Sequence, residues 1–446
     1  MSVAQAIDRF LAQDLLGRTD PMVAGKPDET LLGALKQAAP DIDRQFGSAP
    51  LVAAQLHSTI ALALGRRDDT EGAVREFMAA ANRFVQAQGE LSEDAITERL
   101  KASLALSRSF KPENLERAKQ IVEAQKILIA RLHNPRPEFA VYMATARAYI
   151  AFFSSDLKEA AAQAQLAIDK EAQAPLLDET SRSSLKHLLA AAYMRQGENQ
   201  KAELLMKDVI STNTRLYGPQ SAALLQVKIP LAELLVHEGR YREANELTTE
   251  IYPSFVKVFG ESNDFTLQVL AIRALSESSL EQWDAAIQDE STIHSMAMKA
   301  DPRGGFATVA YSDLGLYQCQ AGRYNQGIPI ARLAYEQTKK IFAGRRDFID
   351  STAFALASCV MGAGKTSEAA SLLDNIDVSS VSQSQGDPSF AANLALAKAQ
   401  VALAQGNREE AGKHLSMAQQ VFRQIPPTSY QKRWLANAQN GLGKTK

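Results

Sequence analysis

Two cysteines in 446 residues, Cys319 and Cys359, are too few for a disulfide framework. Both fall at first-helix positions of neighbouring units of the repeat described below, where buried thiols are common. The expectation is therefore two packed free thiols, with a cross-repeat disulfide the minority alternative. No run of eighteen apolar residues occurs, so no helix here is expected to span or insert into a membrane. Residues Met1 to Gly17 carry Asp8, Arg9 and Asp14 among their apolar positions, which excludes a signal-peptide core. An excess of one charge is missing as well. With 49 Lys and Arg against 51 Asp and Glu, the net charge is -2, and no direct nucleic-acid contact is expected.

Chemical motifs are equally scarce. The six histidines never pair at i+3 or i+4 and have no cysteine close in sequence, so no metal-ligand set is present. No Gly-x-Ser-x-Gly elbow occurs, and the carboxylates are spread over solvated helix faces. Gly362-Ala363-Gly364-Lys365-Thr366 imitates a phosphate loop, but the position needing the earlier glycine is Cys359 and the segment follows a helical run rather than a strand. No catalytic site and no cofactor are expected.

What is present is a repeat. From Gly218 to Gly260, two amphipathic runs with apolar residues three and four apart flank Gly239-Arg240-Tyr241-Arg242-Glu243-Ala244, which reads as a helical hairpin of period 42. Aligning on the inter-helix turn places anchors at Asp68, Glu113, Ser155, Gly197, Gly239, Glu281, Gly322, Gly364 and Gly406, separated by 41 to 45 residues. Five residues after and seven before each anchor, small residues fill seventeen of eighteen places, Leu106 being the exception. Two helices that cross closely require this.

Outside the repeats, Ala4 to Leu16 reads as an amphipathic helix closed by Thr19-Asp20-Pro21. Glu29 to Phe46 reads as a second helix, interrupted or restarted at Pro40. After Pro426-Pro427, Tyr430 to Leu442 offers a sealing helix with Trp434. Pro230, inside the first helix of repeat five, predicts a kink or break there.

The turns Gly239-Arg240-Tyr241-Arg242-Glu243-Ala244 and Gly322-Arg323-Tyr324 resemble those of tetratricopeptide repeats. The 42-residue period, with Tyr217-Gly218-Pro219, Phe259-Gly260, Gly344 and Gly386-Asp387-Pro388 between units, resembles the longer kinesin-light-chain-like subclass. The resemblance covers Leu51 to Ile425, and repeats two and three depart from it in lacking the turn glycine. Phe10-Leu11-Ala12-Gln13-Asp14-Leu15-Leu16, Thr19-Asp20-Pro21 and Pro50-Leu51-Val52-Ala53-Ala54 resemble segments of bacterial membrane-anchored regulators, either winged-helix transcription regulators or serine/threonine kinases. There such an array follows the transmembrane helix. That resemblance implies a sensor or interaction half, because neither a DNA-binding nor a kinase part is present.

The expected fold is an all-α, right-handed superhelical solenoid of about nine helical hairpins with terminal capping helices. Its expected parts are an N-terminal helical cap (1–50), a tetratricopeptide-like array (51–425) and a C-terminal capping helix (426–446). By that resemblance, residues thirteen, ten, six, three and two before each anchor face a concave groove. Of those forty-five positions only Arg66, Lys111, Arg195 and Glu233 are charged, against 22% of the whole chain. Such a lining suits a protein or peptide segment. The candidate binding residues are Tyr142, Tyr149, Phe152, Phe153, His187, Arg195, Gln226, Glu233 and Gln268. The expected function is a non-catalytic binding scaffold in bacterial signalling or transcription regulation. The alternative is a peptide-pheromone or small-ligand receptor that changes superhelical shape on binding. A cytoplasmic location is expected for the chain as written, and a periplasmic one if it is the excised C-terminal part of a membrane-anchored regulator.

Overall fold

The computed structural model describes residues 31–67, 69–108, 111–173, 175–301, 304–378, 389–423 and 426–443. Among these it is all helical, with twenty helices and no strand. After α1 (Leu31–Phe46) the helices pair into hairpins. The first four are α2 (Pro50–Gly65) with α3 (Thr70–Gln88), α4 (Glu93–Ser107) with α5 (Pro112–Ile129), α6 (Glu138–Phe153) with α7 (Leu157–Gln173), and α8 (Glu179–Arg195) with α9 (Asn199–Tyr217). Next come α10 (Ala222–His237) with α11 (Tyr241–Phe259), α12 (Asp264–Ser279) with α13 (Trp283–Ala300), and α14 (Gly305–Gln320) with α15 (Tyr324–Ile341). The series closes with α16 (Arg346–Gly362) and α17 (Thr366–Leu373), α18 (Phe390–Ala404) and α19 (Arg408–Phe422), and the single helix α20 (Ser429–Gly443). The chain divides into two compact units, 1–209 and 210–446.

One turn is reused throughout. At Ser155, Gly197, Gly239, Glu281, Gly322, Gly364 and Gly406 the backbone is left-handed, with φ between 63° and 80°. At each, the following N–H reaches back five residues to close the first helix, as in Asp156 N–H to Ala151 O (2.9 Å), Arg240 N–H to Leu235 O (2.8 Å) and Lys365 N–H to Val360 O (2.9 Å). This double-bonded helix ending satisfies carbonyls the helix leaves orphaned. Ser155 and Glu281 adopt it without glycine, so the third repeat has the same turn as the fourth. The Gly362–Thr366 segment is this turn in hairpin eight and joins α16 to α17.

The small-residue columns lie where the two helices of each hairpin meet. Ala61, Ala148, Ala190, Ala232, Ala274, Ala357 and Ala399 on first helices, and Ala73, Ala160, Ala202, Ala244, Ala286, Ala369 and Ala411 on second helices, are all fully buried. Unit 1 begins with α1 laid on hairpin one, burying Ala34, Leu35, Ala38 and Ile42 against Val52, Leu56 and Ile60. A polar clamp reinforces it. His57 is buried on α2 and shares hydrogen bonds through Nδ1 with Glu76 Oε2 (2.7 Å) and through Nε2 with Asp43 Oδ1 (3.2 Å). Burial alone would lower the His57 pKa, but the bonds to Glu76 and Asp43 outweigh it and raise it. In unit 2 the largest apolar cluster joins α16, α17, α18 and α20 through Phe354, Leu356, Leu373, Phe390, Leu396 and Trp434.

Several expectations are corrected. Cys319 on α14 and Cys359 on α16 form a disulfide, with Cα atoms 5.2 Å apart. α16 packs against α14 so that Cys359 Sγ also lies 3.4 Å from Gly315 O, a consequence of packing that residue spacing does not display. Ellman titration of denatured, unreduced protein is expected to find no reactive thiol, and two per chain after reduction. A titre of two without reductant would overturn the pairing. Closing a loop over 40 residues of separation stabilises by about 2–4 kcal/mol.

Neither Pro40 nor Pro230 breaks its helix. α1 runs through Pro40, and α10 is continuous through Pro230, carried by buried Leu224, Leu225, Ile229, Leu231 and Leu235. A proline deletes one backbone hydrogen bond, and the apolar burial on both sides of it offsets that loss. Glu113 is not a turn residue but lies in the first turn of α5. Pro112 at the start of α5 extends that helix toward its N-terminus, so the second turn comes earlier than the 42-residue spacing places it. The anchor Asp68 and the expected helix Ala4 to Leu16 lie outside the described residues.

Candidate functional site

In unit 1 the C-terminal end of α6 carries a line of aromatic rings. Tyr149 and Phe153, one turn apart, stack with centroids 6.4 Å apart, and Phe152 meets Phe153 edge-on at 5.5 Å. Tyr149 is buried against Ala160, Leu185 and Leu188, whereas Phe152 and Phe153 are half-buried. Each end of the line carries a guanidinium, Arg108 over the Tyr149 ring at 5.4 Å and Arg195 over the Phe152 ring at 5.3 Å. Both arginines are exposed, and both stand at C-terminal ends of first helices, Arg108 capping α4 and Arg195 closing α8. The helix dipole favours a cation at such an end.

Arg66 caps α2 in the same way and approaches Asp178 at 3.7 Å. Asp178 caps α8 by accepting from Ser181 N–H at 2.7 Å. Burial would raise its carboxyl, but the Ser181 hydrogen bonds, followed by the charges of Arg66 and Arg108, hold it below the usual range.

Tyr142, two turns earlier on α6, packs apart from that line with Ile96, Leu100 and Phe139, and burial pushes its phenol up to about 12. His187 on α8 is half-buried, and burial lowers its pKa. The remaining candidates lie in unit 2. Gln268 Nε2 donates to Glu233 Oε1 at 2.7 Å, and burial raises the Glu233 pKa despite that bond. Gln226 is exposed. The structure therefore brings together Tyr149, Phe152, Phe153 and Arg195 in one unit, and Glu233 with Gln268 in the other.

Arg108 escaped the sequence reading because the misplaced second anchor put Lys111 in its column. Matching the C-caps of first helices, where Arg66 already stood, is the signal that recovers it. A second cluster was also illegible. On α12 and α13, Arg273 makes a two-pronged pair with Asp289, Nε to Oδ2 at 2.6 Å and Nη2 to Oδ1 at 2.7 Å, and its guanidinium lies 4.9 Å from the Tyr252 ring centre. Beside it are Glu277 and Glu290, both buried, and Asp313 on α14. Burial pushes Glu277 and Asp313 up to about 7, with Asp289 repulsion adding at Glu277. Burial raises Glu290 too, and the Asp313 and Asp289 charges add to it. Among the described residues no group of His, Cys, Asp and Glu is placed to hold a metal ion, and no helix is long and apolar enough to cross a membrane.

No family model matches the sequence, and neither does any curated protein. Solved structures do match the fold. The apo form of RapI superposes with a TM-score of 0.64 at 13% identity, over 83% of this chain and 97% of that one. A Rap protein complexed with Competence and Sporulation Factor gives 0.54 at 12% identity, over 86% and 99%. The apo quorum sensor NprR from B. thuringiensis gives 0.55 at 11% identity, over 80% and 99%. At these identities the likeness is one of fold, a tetratricopeptide-like helical-repeat solenoid.

Proposed function

We propose that this chain is a non-catalytic scaffold that binds a protein or peptide segment through the first-helix face of hairpins two to four, in bacterial signalling. The observation that carries it is the ring line Tyr149, Phe153 and Phe152 with an exposed guanidinium at each end. Half-buried aromatics give large contact area at small entropic cost, and such anchors dominate binding. A first helix that ends in a dense, rigid turn presents them in fixed geometry. The kinesin-light-chain-like and membrane-anchored-regulator resemblances remain part of this proposal.

A shorter peptide signal is the second reading. Two of the similar structures favour it, one complexed with Competence and Sporulation Factor and one described as a quorum sensor. On either reading the ring line is the anchor, and Gln226, Glu233, Gln268, His187 and Tyr142 are secondary.

Phe152→Ala/Phe153→Ala tests it. Both rings are half-buried, so the double variant is expected to melt within a few degrees of the parent while losing at least about 2 kcal/mol of binding. Partner recovery on immobilised parent and variant, with thermal melts of both, gives the comparison. Equal recovery by two folded proteins would sink the assignment.

A further inference from the structure

The guanidiniums at the two ends of the ring line have no carboxylate partner among the described residues. Arg195 meets Phe152 and nothing of opposite charge. Arg108 meets Tyr149, and Asp178, the acid its charge acts on, is already engaged by Ser181 N–H and by Arg66. The other cations of the neighbourhood are spent on local acids: Arg182 on Glu171 (3.3 Å), Lys186 on Asp208 (2.5 Å) and Lys201 on Glu198 (3.3 Å). Elsewhere in unit 1 arginine finds a carboxylate, as in Arg83 with Asp43 and Arg136 with Glu93 and Asp94.

A guanidinium lying on a ring face keeps its in-plane N–H donors free, and that fork matches a carboxylate. The rings between the two arginines offer apolar surface on which a chain could lie.

We propose that the segment taken by this site is anionic, a peptide stretch whose Asp or Glu side chains reach Arg108 and Arg195 while its apolar side chains lie on Phe152 and Phe153. The inference rests on the segment-binding reading above and specifies its chemistry. A polynucleotide is the poorer occupant. Its charge runs continuously along the strand and calls for a long basic track, and here Arg66, already facing Asp178, is the third and last cation of the row.

The test uses the full chain and three short fluorescein-labelled peptides that share Leu and Phe positions, with the intervening positions all Glu, all Gln or all Lys. A labelled oligothymidylate is the fourth probe. Anisotropy is expected to show the Glu peptide binding at least about tenfold tighter than the Gln peptide at low salt and losing that advantage at high salt. In Arg108→Gln/Arg195→Gln the advantage of the Glu peptide over the Gln peptide is expected to disappear. Both arginines are exposed, so the variant is expected to melt with the parent. Should it melt early, the salt dependence on the parent chain decides alone, and a flat response would overturn the proposal.

Equal binding of the Glu and Gln peptides, or tighter binding of the Lys peptide, would overturn the anionic assignment and leave segment binding standing. Failure of all three peptides on folded protein would overturn both. Tighter binding of the oligothymidylate than of the Glu peptide would replace the proposed partner with nucleic acid.

Discussion

Gly327→Val is expected to lower the stability of unit 2 by more than about 3 kcal/mol and to shift the urea midpoint of its transition strongly downward. Gly327 sits on α15 where it crosses α14, in the column that every other hairpin fills with alanine. A Cβ built there would stand 2.5 Å from Gly315 O, 2.9 Å from Cys319 N and closer still to Cys319 Sγ. Two of the three obstacles are backbone, which no rotamer change can move. The facing residue is also glycine, and a Cβ on Gly315 would meet Ala331 N at 2.7 Å. Both positions of this hairpin have therefore lost their side chains together, and its helices lie closer than an alanine pair allows. Valine adds three carbons to a gap with no room for one. A variant whose urea midpoint matches the parent would show that this crossing is not where the structure places it. Repeating the measurement in a Cys319→Ser/Cys359→Ser background separates backbone overpacking from strain on the disulfide.

Raising the pH from about 5.5 to 8 is expected to destabilise unit 2 by a few kcal/mol, and Asp313→Asn is expected to remove much of that dependence. Glu233, Glu277, Glu290 and Asp313 are carboxyl groups held above their usual range, and all four lie in unit 2. Asp43, Asp69, Glu71, Asp94, Glu123 and Asp178, held below it, lie in unit 1. A carboxyl whose folded pKa is raised binds its proton more tightly folded than unfolded. Its stabilisation is complete below the unfolded value and is lost as pH rises through the folded one. For Glu277 and Asp313 the window therefore runs from about 4 to about 7. The depressed carboxyls of unit 1 behave oppositely, losing their contribution only as pH falls below about 4.

Arg273 faces the cluster from α12 and is already engaged by Asp289. Tyr252 of α11 and Tyr317 of α14 are neutral neighbours, and burial pushes the phenol of each upward. Among the described residues, no further cation acts on Glu277, Glu290 or Asp313 to absorb the charge that appears as the pH rises. Hydrogen exchange, corrected for its intrinsic pH dependence, should show α12 to α14 losing protection toward pH 8 while α2 to α4 keep theirs. Parallel losses in the two units, or an Asp313→Asn variant as pH-dependent as the parent, would refute this.

Much of the architecture was legible in the residues alone, because a repeat states its own geometry. The period located seven left-handed turn residues correctly, including Ser155 and Glu281, where no glycine advertised them. It did so because the alanine columns on either side force the helices to cross at one height. The same regularity misled at Glu113, where a proline restarts the second helix a turn early and the spacing has no means of showing it. The aromatic residues near the end of α6 were visible as a concentration of rings in one repeat. Their division into a line ending in arginines and a separately packed Tyr142 was not, since residues seven apart on one helix are sorted by the neighbours each meets.

Pairing between helices was not decided by the sequence. The Cys319–Cys359 bond depends on how close α14 and α16 come, with Cα atoms 5.2 Å apart at the two cysteines. Arg273 and Asp289 belong to different helices, and their burial beside Glu277, Glu290 and Asp313 depends on which faces α12, α13 and α14 turn toward one another. Periodicity along one helix determines which residues share a face. Only the packed structure decides which charges that face must meet, and with them the protonation of unit 2 and the unpaired guanidiniums of unit 1.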